Sequence, residues 1–459
     1  MAGGARQPGA VSRIPAFKVY DIRGTVPDEV NSDIAWKAAR AFADWSGAEE
    51  VIVGRDARLS SPSLAEAVID GLVESGVTVR DVGIVTTPIL NIAVATHRRH
   101  GMMITASHNP KVYNGIKLVD PSAQQIYYGR GLEAVEAQVA SGRFADRGRR
   151  GRVLITPVLQ AYQERLFGTF QQAGLGSLSV VIDCSNGVGG LPLGVLERLG
   201  VETTLLNHIP DGNFPHHDCD TLRPDNLREL RHAVRLYRAD LGVMFDGDAD
   251  RVVFVDEEGD IAPIDRVFAL LARQELTLKN GRIFYDLRFS RAVREEIEAR
   301  GGVPVTLRVG NPFYKEALHQ HDDGLLAGDL SGHFMYKEHA CVDDALFAAL
   351  KLMAYLVRSG RTLSALLHPL QRYAGSGELR ILADDPGRLV ERVKQRYRDA
   401  DISELDGVSV RYADWWMNLR PSNTEPVAKL VMEASSVERL EREKRGVLEL
   451  LQQHGGHLE

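Results

Sequence analysis

A short apolar run, a polar loop, an amphipathic helix, a glycine and a second apolar run recur three times along the chain. The first copy comprises Val51-Ile-Val-Gly-Arg-Asp56, a helix, and Gly76-Val-Thr-Val79. In its helix Leu64, Val68 and Leu72 fall four apart and share one face; Ser61 has the chemistry of an N-cap and Pro62 suits the first helical position. The second copy is Val180-Val-Ile-Asp183, a glycine-rich loop, a helix ending near Gly200, and Val201-Glu-Thr-Thr-Leu205. The third is Ile283-Phe-Tyr-Asp286, a helix through Ala299, Gly301-Gly302, and Val303-Pro-Val-Thr-Leu307. Apolar strands alternating with helices predict α/β units with mixed or parallel sheets. The polar loop after each first strand then lies at the carboxyl end of a sheet, where such folds place ligands.

Beyond Leu367 the pattern changes. Strand Gly377-Glu-Leu-Arg-Ile-Leu382, a helix over about 386–399, strands near 407–412 and 427–433 and a helix over about 437–453 read as a smaller α+β domain. The expected divisions are 1–155, 156–260, 261–371 and 372–459, with a loose Gly/Ala-rich tail over the first 13 residues. Length agrees: 459 residues at about 150 per domain give three or four domains.

Composition narrows the class. Asp and Glu total 62 against 55 Lys and Arg, a net charge of −7, which argues against a nucleic-acid partner but not against a local pocket for a small anion. Cys184, Cys219 and Cys341 are too few and too scattered for a disulfide framework or a CxxC metal site. The first residues lack the apolar region of a signal peptide, and no apolar run reaches the roughly 18 residues of a membrane helix. The expectation is a cytoplasmic, multidomain protein without a membrane partner.

Four stretches carry chemistry. Thr105-Ala-Ser-His-Asn-Pro110 follows the apolar strand Gly101-Met-Met-Ile104 and delivers Ser107 into a polar turn beside His108. A serine hydroxyl activated by a base or metal is a nucleophile or phosphate carrier; in isolation the same string is equally a set of turn hydrogen bonds. In Val243-Met-Phe-Asp-Gly-Asp-Ala-Asp-Arg-Val-Val-Phe-Val255, Asp246, Asp248 and Asp250 alternate in a tight loop between apolar strands. Like charges this close call for a cation, and oxygen-only ligands favour a hard ion such as Mg²⁺; Arg251 adds a fixed positive charge able to face a phosphate. An EF-hand reading fails, because its sixth position is Arg251 rather than glycine. A phosphatase with Asp246 as nucleophile remains an alternative, but leaves the serine motif unexplained. Gly328-Asp-Leu-Ser-Gly-His333 brackets a carboxylate, a hydroxyl and an imidazole with glycines and suits a polyol; Asn418-Leu-Arg-Pro-Ser-Asn-Thr-Glu-Pro426 offers one cation and a cluster of donors to a phosphate, or is a polar turn before the next strand. Arg23 in Tyr20-Asp-Ile-Arg-Gly24 and Lys117 in Asn114-Gly-Ile-Lys117 are further cations, whose ordinary fate is a surface ion pair.

In this order, YDIRG, TASHNP, NGIK, DGDADR, GDLSGH and RPSNTEP resemble the successive motifs of the α-D-phosphohexomutases, from about residue 15 to the C-terminus. The opening Phe17-Lys-Val-Tyr-Asp-Ile-Arg-Gly24 resembles the phosphomannomutase/phosphoglucomutase branch rather than the phosphoglucosamine mutase branch. The resemblance implies three similar α/β domains with mixed sheets and a smaller C-terminal α+β domain around a central cleft. It implies an intramolecular phosphotransferase of the isomerase class, interconverting mannose 1- and 6-phosphates and glucose 1- and 6-phosphates, with a 1,6-bisphosphosugar as intermediate and activator. Ser107 is then the phosphoserine, and Asp246, Asp248 and Asp250 hold one Mg²⁺ together with a phosphoserine oxygen. His108, His333, Arg23 and Lys117 are candidates for the acid/base, and Arg251 for charge neutralisation. Tyr20, Arg288, Asn311, Asp329, Ser331 and His333 contact the sugar phosphate, and Arg420, Ser422, Asn423 and Thr424 grip the phosphate that is not reacting. A monomer or dimer is expected.

Four positions depart from the family pattern. Asp329 stands where glutamate is usual, Asn311 where a histidine is common, Arg288 where a lysine is common and Ala249 where glycine is frequent. The first three bear on sugar specificity and acid/base chemistry rather than on phosphoryl transfer. Another phosphosugar specificity, such as glucosamine phosphate, a Mg²⁺-dependent sugar phosphatase and a non-catalytic sugar-phosphate binder are the competing readings.

Overall fold

The computed structural model describes residues 14–422 and 427–459; the N-terminal Gly/Ala-rich stretch, Asn423 and Thr424 lie outside the described residues. The chain divides into two compact units, one of residues up to 262 with 331–364, the other of residues 263–330 with 365–459.

The first unit opens on a six-stranded sheet of β1 (Ile22–Thr25), β2 (Glu50–Arg55), β3 (Thr78–Ile84), β4 (His100–Ile104), β5 (Tyr113–Val119) and β6 (Val153–Ile155), in the order β1-β5-β4-β2-β3-β6. Strands β4, β2, β3 and β6 run parallel; β5 is antiparallel to both β4 and β1. Helices α1 (Ser32–Ser46), α2 (Ser61–Glu74) and α3 (Thr87–His97) connect them. Leu64, Val68 and Leu72 of α2 join Val51, Val53, Met102 and Ile104 in one apolar core, as their spacing requires. The start of α2 corrects the sequence reading. Its N-cap position is Ser60, which makes no capping bond, and Ser61 lies inside the helix. The Ser61 hydroxyl donates instead to Asp56 Oδ1 at 2.5 Å, because that buried carboxylate competes for it.

A second sheet, in the order β11-β10-β9-β7-β8, contains β7 (Ser179–Asp183), β8 (Glu202–Leu206), β9 (Leu241–Phe245), β10 (Val252–Val255) and β11 (Ile261–Ala262). Strands β7, β8 and β9 are parallel and β10 is antiparallel to β9, so the Asp246–Arg251 loop is the turn of a buried hairpin. Residues 331–364 complete this unit with the largely buried helix Ala345–Ser359.

In the second unit β12 (Arg282–Asp286), β13 (Val303–Leu307) and β14 (Gly324–Gly328) are parallel with β12 central, and the helix of the third repeat ends at Glu298. The C-terminal sheet is antiparallel, in the order Asp401–Ser403, Val408–Arg411, Trp415–Pro421, Val427–Ala434, Ala374–Leu382, His457–Leu458. The helices Pro386–Arg396 and Val437–Gln453 belong with it. Trp415, Met417 and Leu419 alternate into its core, so Trp415–Pro421 is a strand, and a polar turn, one of the two readings of Asn418–Pro426, does not hold for residues 418–421. The architecture is three α/β domains with mixed sheets and a smaller C-terminal α+β domain.

Candidate active site

Ser107 follows the carboxyl end of β4 with φ +51°, a left-handed conformation unfavourable for an L-residue. Local bonds hold it there. Its N–H donates to Thr105 Oγ1 at 2.9 Å, and its carbonyl accepts from Arg58 Nη2 at 2.7 Å. The Arg58 side chain, fully buried, also donates to the carbonyls of Asn109, Pro110 and Tyr113 at 2.6–3.0 Å, and its Nε pairs with Asp56 at 3.1 Å. One guanidinium thereby fixes the backbone of the whole serine loop. The Asp246–Arg251 loop packs so closely on it that a Cβ at residue 247 would lie 2.6 Å from the Ser107 carbonyl oxygen, so glycine is required there.

That approach puts Ser107 Oγ 2.7 Å from Asp246 Oδ2, to which it donates, and 3.2 Å from His108 Nδ1. Asp246, Asp248 and Asp250 are buried, with one carboxylate oxygen from each within 4.8 Å of the others. Lys117 Nζ on β5 bridges Asp248 Oδ2 and Asp250 Oδ2 at 2.7 and 2.6 Å, and Thr87 Oγ1 donates to Asp248 Oδ2 at 2.6 Å. Among the described residues Asp248 Oδ1 and Asp250 Oδ1 are buried without a hydrogen-bond partner. Buried carboxylate oxygens left unsatisfied in an all-oxygen cluster fit a hard divalent cation such as Mg²⁺.

The charges shape one another. Burial and the neighbouring Asp250 and Asp248 push Asp246 well above the usual carboxylate range. Burial acts in the same sense on Asp250, but Lys117, His333 and Arg251 outweigh it and hold that carboxyl well below the range. Burial opposes the charge on Lys117, yet Asp248 and Asp250 raise its pKa and keep it protonated. Burial, with Arg251 and Arg23 nearby, lowers His108 well below an ordinary histidine, so its imidazole is neutral at pH 7. Arg23 donates to Asn109 Oδ1 at 2.8 Å and to the Ala106 carbonyl at 3.2 Å, and pairs with Asp21. Arg251 donates its backbone N–H to Asp246 Oδ1 and its Nε to His333 Nε2, both at 3.2 Å; that imidazole stands 3.6 Å from Asp250 Oδ1. The first unit thus gathers Ser107, His108, Arg23, Lys117, the three aspartates, Arg251 and His333. Tyr20 is half-buried with its ring 6.5 Å from Tyr127, and the half-buried Ser331 belongs to the same unit.

The second unit forms a cluster of opposite character. Arg288 pairs with Asp286 and reaches Glu378 Oε2 at 2.9 Å; Arg420 meets the same oxygen at 3.2 Å and Lys429 meets Glu378 Oε1 at 2.9 Å. Burial works against ionisation of Glu378, but Arg288, Lys429 and Arg420 together hold its pKa at about 2. Asp286 Oδ2 also accepts from the N–H of Leu330, next to the buried Asp329. Asn311 begins the helix Asn311–Gln320, and the backbone N–H of Ser422 donates to the Val427 carbonyl at 2.8 Å.

Arg58, Thr87 and Glu378 were not singled out by the sequence. The only signal for Arg58 is its place two residues after Asp56, in the polar loop that follows an apolar strand. Nothing local marks Thr87 or Glu378.

Comparison with known proteins shows the family. Models of the phosphoglucomutase/phosphomannomutase alpha/beta/alpha domains I, II and III match residues 15–146, 160–259 and 263–373, and the model of the C-terminal domain matches 378–450. The chain belongs to the phosphoglucomutase/phosphomannomutase family of phosphohexomutases. It is 34% identical to a phosphomannomutase of Escherichia coli K12 over 96% of this chain and 100% of that protein. It is 36% identical to a probable phosphoglucosamine mutase of Methanopyrus kandleri over 92% of this chain and 94% of that protein. A solved phosphoglucomutase/phosphomannomutase family protein from Burkholderia thailandensis superposes with a TM-score of 0.88 at 32% identity, covering 96% of this chain and 98% of that one. Among the described residues no helix is long and apolar enough to cross a membrane.

Proposed function

We propose that the protein interconverts the 1- and 6-phosphates of mannose and of glucose in the cytoplasm, as a monomer or dimer, through a phosphoserine at Ser107. The observation that carries this is the 2.7 Å bond from Ser107 Oγ to Asp246 within three buried carboxylates. In the first half-reaction the phosphoserine P–Oγ bond breaks as a sugar hydroxyl oxygen bonds to phosphorus. The hydroxyl proton passes to a base and Ser107 Oγ takes up a proton. The bisphosphorylated sugar turns round, and the same exchange run backwards returns the other phosphoryl group to Ser107. His108, neutral and 3.2 Å from Oγ, fits the proton acceptor; Lys117, held protonated, fits a cation or acid rather than a base. Arg251 and Arg23 neutralise charge on the transferring group. Ser107, Asp246, Asp248 and Asp250 would hold one Mg²⁺, which supplies electrostatic stabilisation to the phosphate oxygens when bound. Arg420 and Ser422, together with Asn423 and Thr424, retain the phosphate that does not react; Tyr20, Asn311, Asp329, Ser331 and His333 meet the sugar, and Arg288 its phosphate.

A coupled assay of mannose 1-phosphate, glucose 1-phosphate and glucosamine 1-phosphate, with and without the 1,6-bisphosphate and with free phosphate monitored, tests the reading. The expected result is 1,6-bisphosphate-stimulated isomerisation of the mannose and glucose esters without net phosphate release. Ser107→Ala is expected to lower turnover by about 1,000-fold or more. Retained turnover in that variant would overturn the serine assignment. A preference for glucosamine 1-phosphate would place the chain with its Methanopyrus relative, and net phosphate release would make it a phosphatase.

A further inference from the structure

At the end of the first sheet opposite Ser107, a cavity of about 650 Å³ opens where the parallel strands β4, β2, β3 and β6 begin. Five arginines line it: Arg98 and Arg99 ahead of β4, and Arg149, Arg150 and Arg152 ahead of β6. In a chain of net charge −7, such a gathering runs against the average. Glu49 and Glu50 also line the cavity but do not neutralise it. Glu50 is already bound by Arg80 at 2.5 Å and meets Arg99 at 3.3 Å, while Glu49 lies 3.8 Å from Arg149. Arg98, Arg150 and Arg152 form no ion pair among the described residues.

The backbone that presents these side chains is held firmly. A Cβ at Gly151 would lie 1.8 Å from the Val77 carbonyl oxygen, and Gly151 N–H donates to the Val73 carbonyl at 2.7 Å. The Arg152 carbonyl accepts from Val79 N–H at 2.8 Å. On the other side Arg98 adopts φ +50° and closes α3 with its N–H on the Val94 carbonyl. Arg98 and Arg99 sit at a helix C-terminus, where a cation is favourable in its own right; Arg150 and Arg152 have no such explanation. From β4 to β6 the cations span three strand spacings, about 14 Å. That breadth exceeds what one phosphate group needs, and guanidinium groups bind phosphate oxygens in bidentate fashion.

We infer that this cavity is a second anion site, separate from the serine loop, which binds a chain of two or more linked phosphates, either free or carried by a nucleoside. Calorimetric titration of the full chain with tripolyphosphate and with ATP, in the absence of divalent metal, tests the inference. The double variant R150A/R152A is expected to bind tripolyphosphate at least tenfold more weakly while kcat/KM for the hexose 1-phosphates is unchanged, and R150K/R152K to recover part of the affinity. Arg420→Ala, which alters the other phosphate site, is expected to leave tripolyphosphate binding intact. If R150A/R152A does not fold, Arg98→Ala replaces it with the same expectation. Equal affinity for the two probes supports a free polyphosphate, and tighter binding of ATP supports a nucleotide. Undetectable binding of both probes by the unaltered protein, unchanged affinity in R150A/R152A, or loss of binding in Arg420→Ala would overturn it.

Discussion

The two charged clusters handle burial in opposite ways. In the first unit three buried carboxylates outnumber the lysine that bridges two of them, and among the described residues two of their oxygens lack hydrogen-bond partners. In the second unit three cations, Arg288, Arg420 and Lys429, converge on Glu378, and with Asp286 on Arg288 they still outnumber the carboxylates three to two. Each imbalance is costly in a low-dielectric setting, and each is of the sign that a bound ion would correct: a metal cation at the aspartates, a phosphate at the arginines. The sign of the uncompensated charge therefore tells more about the ligand than the count of charged residues does. The clusters also differ in support. The aspartate loop is pressed against the serine loop that Arg58 holds, whereas the cationic cluster rests on Glu378, on Asp286 and on the strand bearing Arg420.

Breaking that support gives the largest expected effect. Arg58→Ala leaves Asp56 unpaired and four carbonyls without their shared donor, and should destabilise the protein by about 3–5 kcal/mol in urea unfolding, the cost typical of a broken buried pair. Arg58→Lys should recover only part, because an ammonium cannot reproduce the fork of a guanidinium. On the cationic side, Arg420→Ala should raise KM for the hexose 1-phosphates by about 10- to 100-fold and lower the melting temperature less than Arg58→Ala does, because Glu378 keeps Arg288 and Lys429 as partners.

A smaller effect separates the clusters by pH. The Glu378 carboxyl ionises at about 2 against an ordinary 4.5, so its ionised form stabilises the fold. That contribution is complete above about pH 4.5 and is lost as pH falls towards 2. With Glu378 partly exposed, the difference between the native protein and Glu378→Gln should be about 2 kcal/mol at neutral pH and should shrink across that window, as acid titrations of unfolding would show. The smallest effect concerns Ala249, which takes a left-handed conformation at φ +58° in the aspartate loop. Ala249→Gly should relieve strain and raise stability by about 0.5 kcal/mol, visible as a small rise in melting temperature.

Much of this was legible in the sequence. The aspartates were readable because their alternation falls between two apolar strands, which leaves a tight hairpin turn as the only place for them. The repeats were readable because each apolar strand is punctuated by a glycine. Arg58 was not readable, because its partners are backbone carbonyls some fifty residues downstream and a carbonyl has no signature in sequence. Glu378 escaped for a similar reason: two of its cations come from neighbouring strands of its sheet and the third, Arg288, from the loop after β12, and they meet only in the folded unit. The strand Trp415–Pro421 was not readable, because Asn418, Arg420 and Pro421 make its second half look as much like a polar turn as like a strand. The start of α2 shifted by one residue because Asp56, in the loop before it, took the hydroxyl of Ser61.

Arg58 bears also on how the serine loop can change over evolutionary time. Within the serine loop its guanidinium grips only main-chain oxygens, of Ser107, Asn109, Pro110 and Tyr113, and every amino acid supplies such an oxygen. The side chains of Lys111 and Val112, both exposed, play no part in that grip. Mutational drift at those two positions therefore leaves the geometry of the serine intact. The loop is a platform on which surface variation can accumulate while Ser107 stays in place.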